Sequence, residues 1–178
     1  ALRLLGIDRS SIRPGDLEQI AQPLDFFGIN FYNPQYVRAA TAGGIAPLEE
    51  ADPPAAFART EMGWPVIPDG LTELLLYLKR RYRTRLPPIL ITENGCALAD
   101  RVDEHGTVDD PQRIDYIARH LGALRQAMDA GVDVRGYFVW SLLDNFEWAE
   151  GYRPRFGLVH VDFASQERTP KASYHWYR

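Results

Sequence analysis

The sequence predicts an alternating α/β fold with parallel strands, and three observations carry that prediction. Apolar runs at about 24–32, 88–93 and 134–141 lack the strict alternation of half-solvated strands and read as buried ones. Segments of helical period follow them, so the order is strand, helix, strand, helix, strand, helix, the pattern of parallel βα units. The middle run, Ile89-Leu-Ile-Thr-Glu-Asn-Gly95, ends in a carboxylate, an amide and a glycine. A carboxylate placed where a buried strand opens into a loop is where α/β enzymes keep their chemistry.

Each element has a local reason. Asp16 suits the cap of a short helical turn reaching Ile20. The first strand, Leu24 to Tyr32, is apolar apart from Asp25 and Asn30, and Asn33-Pro34 ends it. Residues 35–69 form a long connection rich in Ala, Gly and Pro without a clear period, the kind of loop that is functional or flexible. Pro68-Asp-Gly70 starts the next helix. Leu71, Leu74, Leu75 and Leu78 share one face of it, and Lys79, Arg80, Arg81 and Arg83 suit its C-terminal dipole end. Pro87-Pro88 separates it from the second strand. After a loop over 96–108, Asp109-Asp-Pro111 reads as a cap with proline in the first turn. Ile114, Ile117, Leu121, Leu124 and Met128 trace the apolar face of that helix, which Gly131 closes. Val134 to Ser141 is the third strand, 144–161 reads as loop plus a small hairpin, and 169–178 begins a last helix.

The bulk numbers bound the function. A chain of 178 residues is long enough for one domain with a core, and 46% hydrophobic with 25% charged residues is ordinary for a globular protein. A net charge of −4 weighs against nucleic acid or an anionic membrane as partner. No signal-peptide pattern and no long apolar span is present, and the expected location is the cytoplasm. The single cysteine, Cys96, excludes an internal disulfide. The four histidines lack metal-ligand spacing, and no glycine-rich phosphate loop occurs, so neither metal nor cofactor is expected. His120 reads as solvated, off the apolar face of its helix, and the basic run 79–85 as a solvated helix end. The sequence opens on Ala-Leu-Arg without a methionine and reads as a piece of something longer or a processed product.

Two segments, Thr92-Glu-Asn-Gly95 and Trp140-Ser-Leu-Leu-Asp-Asn-Phe-Glu-Trp148, are joined by Asp25-Phe-Phe-Gly-Ile-Asn-Phe-Tyr32, Met62-Gly-Trp64, Arg155-Phe-Gly-Leu-Val159 and Arg168-Thr-Pro-Lys171. Together, over nearly the whole chain, they resemble the glycoside hydrolase family 1 β-glucosidases. The resemblance implies that residues 1–178 are the C-terminal part of a (β/α)8 TIM barrel, strands six to eight of one catalytic domain, incomplete on its own. It implies Glu93 as catalytic nucleophile. Asn30 and Tyr32 look like the pair reaching the nucleophile and the sugar, and Trp64 like the aromatic beside the leaving group. Trp140 would floor the sugar ring, Glu147 and Trp148 would hold its distal hydroxyls, and Phe156 would line the pocket near O6. The family's acid/base glutamate has no counterpart: Glu18, Glu49, Glu50 and Glu61 stand in no similar context. The phospho-sugar branch of the family carries serine, lysine and tyrosine where this chain has Glu147, so an unmodified sugar is implied.

The chemistry fits these residue types. A retaining glycosidase holds two carboxyl groups about 5–5.5 Å apart, one attacking the anomeric carbon and one moving the proton. Hydroxyls take carboxylate partners and the C–H faces of sugars take flat aromatic surface; Glu147 between Phe146 and Trp148 supplies both. The implied partners are a β-glucoside or short β-linked oligosaccharide, and a complementary N-terminal barrel fragment or the continuous missing chain. Three strands cannot close a barrel, so the strands near Phe26 and Val139 are expected to present open edges. Two alternatives stand beside the β-glucosidase reading: a non-catalytic sugar-binding or structural fragment, and another retaining (β/α)8 glycosidase or transglycosylase.

Overall fold

A computed structural model of the protein describes residues 12–41 and 47–178; the start of the chain and part of the long connection lie outside the described residues. Along the chain run α1 (Asp16–Ile20), β1 (Phe27–Asn30), β2 (Val37–Ala39), β3 (Leu48–Glu50), α2 (Asp69–Tyr82), β4 (Ile89–Asn94), α3 (Pro111–Asp129), β5 (Val134–Val139), β6 (Val159–Val161), β7 (Arg168–Pro170) and α4 (Ala172–Tyr177). Strands β1, β4 and β5 form one parallel sheet in that order, as the βα repeat predicts. The ribbons β2–β3 and β6–β7 are antiparallel.

One face of the sheet carries the core. Ile29, Phe31, Ile89, Ile91 and Val134 pack against Leu71, Leu75 and Leu78 of α2 and Leu124 and Ala127 of α3. The opposite face carries Gly28, Leu90, Gly136 and Phe138, and Phe138 is 54% exposed. Complete parallel sheets are covered on both faces. Among the described residues β1 and β5 are edges and one face has no covering layer, so the sheet is open rather than closed, as expected of the C-terminal part of a (β/α)8 barrel.

Four expectations need correction. The first strand is shorter than 24–32: Leu24 and Phe26 stand exposed before β1, which among the described residues has a sheet neighbour on one side only. The connection 35–69 contains the β2–β3 hairpin, with Arg38 Nε donating to Glu49 Oε1 at 2.7 Å. Its strands have three residues each, too few for a period to show. The C-terminal hairpin runs from Val159 to Pro170, past the stretch expected to hold it.

The fourth correction concerns α3. Its buried stripe is Arg113, Tyr116, Ile117, His120, Ala123, Leu124 and Ala127, while Met128 is exposed. His120 is 0% exposed, not solvated. The reason is that α3 is packed by α2 on one side and by α4 on another, so its buried face includes residues that are polar by letter. The His120 ring stacks on Tyr116 at 4.0 Å, and its Nδ1 bonds the Tyr116 carbonyl at 2.8 Å. Burial pulls its pKa down to about 4.

A buried ionic network joins the loops that follow the strands. Lys171, without exposed side-chain surface, donates to Asp100 at 2.5 Å and to Asp144 at 2.9 Å. Arg113 bonds Asp100 at 2.6 Å and also pairs with Asp110, and Arg155 bonds Asp144 at 2.8 Å. Asp110 is the residue before α3, yet its carboxylate serves Ser173 as well, accepting from the backbone N–H at 2.8 Å and the hydroxyl at 2.6 Å. Three cations thus face three carboxylates. The network ties the loop after β4, the start of α3, the loop after β5 and the start of α4 into one unit.

Candidate active site

The C-terminal ends of β1, β4 and β5 gather the predicted residues, and a bulge in β4 aims the central one. Asn30 lies beside Glu93 although Ile29 lies beside Ile91, so β4 has one residue more than β1 there. Against β5, Ile91 pairs with Tyr137 and Asn94 with Val139, so β4 again has one extra residue. Simple alternation would place Glu93 with Ile89 and Ile91, facing the helices. The extra residue turns that side around: Asn94 faces the core with no exposed surface, and Glu93 faces the open end. Bulges beside functional sites re-aim side chains in this way.

Around Glu93 the polar geometry is specific. The Tyr32 hydroxyl donates to Glu93 Oε2 at 2.7 Å. Burial, followed by this bond and the charges of Glu93 and Glu147, pushes the Tyr32 phenol well above its ordinary range, so it stays a donor at working pH. Thr92 donates its hydroxyl to Asn30 Oδ1 at 2.6 Å, which fixes the Asn30 amide and orients its NH2 group away from that contact. Tyr32 also anchors an aromatic trio: the Trp64 ring lies 5.3 Å away and the Phe156 ring 6.1 Å away, with 6.1 Å between Trp64 and Phe156. Phe156 is only 3% exposed and offers mostly its packing to the trio.

The loop after β5 brings the second group of residues. The Trp140 N–H donates to the Asn94 carbonyl at 2.9 Å, continuing the β4–β5 ladder past the strand end. Gly95 makes this approach feasible: a Cβ there would lie 2.0 Å from the Trp140 carbonyl oxygen. The Trp140–Ser141 peptide is cis. Beyond it, Asp144 accepts from Gly157 N–H at 2.9 Å and Val161 N–H at 3.3 Å besides its two cations, so the loop is held from inside. Glu147 N–H then bonds the Gly151 carbonyl at 2.7 Å, closing a tight loop with a 3-10 turn over Trp148–Glu150. Burial and then the charge of Glu93 raise the Glu147 pKa, while a hydrogen bond from the Trp140 side chain opposes the rise. Glu147 therefore feels both Glu93 and Trp140. Trp148 is 82% exposed and stands at the rim, away from the aromatic trio.

A cleft of about 770 Å³ opens beside these residues. Asn30, Tyr32 and Trp64 form its inner wall, and Tyr36, Arg38 and Glu50 from the β2–β3 region form its outer one. Glu93, Trp140, Glu147, Trp148 and Phe156 are not in its lining. Among the described residues no cluster of three or more His, Cys, Asp or Glu is arranged to hold a metal. Cys96 is buried below the site, and desolvation pushes its thiol up to about 12. No described helix is long and apolar enough to cross a membrane.

Sequence reasoning missed Tyr116, Tyr137 and the aspartates of the ionic network. Tyr137 sits in an apolar strand and Tyr116 beside Ile117 on a helix, so each reads as a packing residue and neither had a pattern to single it out. The Arg168-Thr-Pro-Lys171 motif was a signal for the network, because a lysine just ahead of a short terminal helix has no local reason to be there.

Parallel strands whose C-terminal ends gather two acidic side chains, a phenol and several aromatic rings match the arrangement of (β/α)8-barrel enzymes, whose sites lie at that end. The sequence model of glycosyl hydrolase family 1 matches residues 7–178, and the chain belongs to that family. A protein of Bifidobacterium breve named bifunctional β-D-glucosidase/β-D-fucosidase is 47% identical over 181 residues, covering 92% of this chain and 38% of its own length. β-Glucosidase A of Thermotoga maritima is 44% identical, covering 91% of this chain and 35% of its own. Among solved structures, the AHE enzyme of Alicyclobacillus herbarius matches with a TM-score of 0.88 at 43% identity, over 98% of this chain and 38% of that one. The Thermotoga maritima β-glucosidase in complex with glucoimidazole matches with a TM-score of 0.83 at 42% identity, over 91% of this chain and 35% of that one. The chain therefore spans little more than a third of the length of the relatives it matches.

Proposed function

We propose that this chain is the nucleophile-bearing C-terminal segment of a single catalytic domain that hydrolyses terminal non-reducing β-D-glucosyl residues with retention of configuration. The observation that carries the reading is the Tyr32–Glu93 hydrogen bond at 2.7 Å, set in a bulge that turns Glu93 toward the open strand ends. The names of the relatives, β-glucosidases, and the glucoimidazole complex of one of them support the sugar class.

In this reading Glu93 attacks the anomeric carbon as the bond to the leaving oxygen breaks, and a carboxylic acid on the complementary N-terminal part protonates that oxygen. The same group then takes a proton from water as the water displaces Glu93. Tyr32 holds Glu93 in line through the first step. Glu147 accepts from sugar hydroxyls, Trp140 lies under the ring, Trp148 closes the rim, and Asn30 donates its free amide hydrogens to the sugar. Trp64 borders the leaving-group side, with the adjoining cleft receiving the aglycone, and Phe156 backs Tyr32. The reaction uses no cofactor.

Proton NMR of the assembled enzyme hydrolysing an aryl β-glucoside tests the reading. The first sugar formed is expected to be the β-anomer; an α-anomer would sink it. The chain without its N-terminal complement is expected to turn over about 10²–10⁴-fold more slowly, because general acid catalysis is missing. Near-normal turnover by that chain alone would show the acid to lie within it.

A further inference from the structure

Behind Glu93, on the helix side of the sheet, lies a hydrogen-bonded cluster that the chemistry above does not use. Asn94 has both ends of its amide engaged: Nδ2 donates to the Phe31 carbonyl at 2.7 Å, and Oδ1 accepts from the Tyr137 hydroxyl at 2.5 Å. Tyr116, reaching in from α3, donates its hydroxyl to the Tyr32 carbonyl at 3.0 Å and lies 3.2 Å from Asn94 Nδ2. Phe31 and Tyr32 follow the end of β1, so their carbonyls have no ladder partner from a neighbouring strand. These side chains take that place. The backbone carrying Tyr32 is thus fixed from behind, while its phenol reaches forward to Glu93.

The cluster is built to be rigid and to keep its protons. Asn94 is fully buried and Tyr116 nearly so. Burial pushes the Tyr116 and Tyr137 phenols upward, so both remain donors. Tyr116 is itself gripped by the His120 ring stacked at 4.0 Å, with Phe31 on another side of that ring at 6.0 Å. A buried network with its partners satisfied rigidifies what it touches, and side chains locked by such a shell hold a reacting group within a few tenths of an ångström.

We propose that Tyr116 is a positioning residue: acting through the Tyr32 carbonyl, with Asn94 beside it, it aims the Tyr32 hydroxyl at Glu93. The proposal rests on the reading of Glu93 as nucleophile, but its geometry can be tested apart from activity. Tyr116→Phe keeps the ring and removes the bond to the Tyr32 carbonyl.

In a crystal structure of the Tyr116→Phe protein, the Tyr32–Glu93 distance is expected to lengthen beyond 3.5 Å, outside ordinary hydrogen-bond range. A contact still at 2.7 Å, as in the present structure, would overturn the proposal. In the assembled enzyme, Tyr116→Phe is expected to slow formation of the glycosyl-enzyme about tenfold with little change in KM. In a Tyr32→Phe background the same change is expected to cost less than about twofold, because its route of action is gone. Equal losses in both backgrounds would mean a general structural effect and overturn the proposal. Thr72→Val, which removes a part-buried hydroxyl bond to the Ala123 carbonyl between α2 and α3, controls for lost stability and is expected to leave the rate unchanged. If Tyr116→Phe does not fold, 4-fluorophenylalanine at position 116, which fills the place of the hydroxyl but cannot donate, is read by the same distance, with the same two outcomes. If the unaltered enzyme forms no glycosyl-enzyme, the nucleophile reading fails while the crystallographic comparison still decides this one.

Discussion

Replacing Lys171 by methionine is the sharpest perturbation of the framework that holds the site. The ammonium has no exposed surface and touches two carboxylates, at 2.5 and 2.9 Å. At about 3 Å and an effective dielectric of about 20, each attraction is of order 5 kcal/mol before desolvation is counted. Desolvation is large here: it lowers the Lys171 pKa even though Asp100 and Asp144 pull it the other way. The ammonium therefore adds little net stability in itself. Its removal is costly for another reason, since three buried carboxylates are left facing two guanidinium groups. Stranding a buried charge in this way costs about 3–5 kcal/mol, and that is the loss expected for Lys171→Met at pH 7. Guanidinium denaturation followed by tryptophan fluorescence reads it directly. Adding Asp100→Asn restores the balance of charge, so the double variant should be no less stable than Lys171→Met alone, a coupling of at least about 2 kcal/mol. A loss below about 1 kcal/mol at pH 7 would show that the ammonium is not needed to balance the buried carboxylates.

Two other predictions concern single groups. His120 has its folded pKa lowered to about 4 from about 6.5, so the unfolded chain binds a proton that the folded one refuses. Its contribution is fully present above about pH 6.5 and is lost as pH falls toward 4, amounting to about 2 kcal/mol between pH 7 and 5. His120→Leu should remove that slope from the pH dependence of unfolding, and an unchanged slope would contradict the assignment. Glu147→Gln should lower kcat/KM by roughly 10–100-fold through lost charge-assisted bonds to sugar hydroxyls. The factor should be the same for aryl glucosides with good and poor leaving groups; a much larger loss with poor ones would make Glu147 the proton donor instead.

The fold was readable because its signals are local. Ile89 to Ile91 and Tyr137 to Val139 are apolar runs rich in β-branched and aromatic residues, Pro87-Pro88 and Gly131 punctuate them, and the leucines of α2 recur at helical spacing. Several predicted site residues meet for a similar reason: parallel strands deliver their C-terminal ends to one rim, so Asn30, Glu93 and Trp140 had to be neighbours. The β4 bulge was not readable. Letters alternate or do not, and an extra residue shows only against the two flanking strands. The buried face of α3 was misjudged because Arg113 and His120 look like solvent residues by letter; Arg113 is covered where Asp100 reaches it from the loop after β4, and each has a further partner one turn back, Asp110 and Tyr116, in a helix that α2 and α4 enclose. Trp148 illustrates a further limit. Its motif is distinctive, yet its 82% exposure follows from the tight Glu147–Gly151 loop, which no spacing rule announces.

The central claim is that Glu93 is the group that bonds to the sugar. An activated 2-deoxy-2-fluoro-β-glucoside slows release of the sugar from the enzyme more than its capture, so the covalent species accumulates. Incubating the assembled enzyme with that compound, digesting it and sequencing the labelled peptide by mass spectrometry locates the bond. One sugar per site is expected, on Glu93 within the Ile89–Gly95 peptide, and no label in a Glu93→Gln variant. A label on Glu147 or on any other residue, or activity without a covalent species, would contradict it.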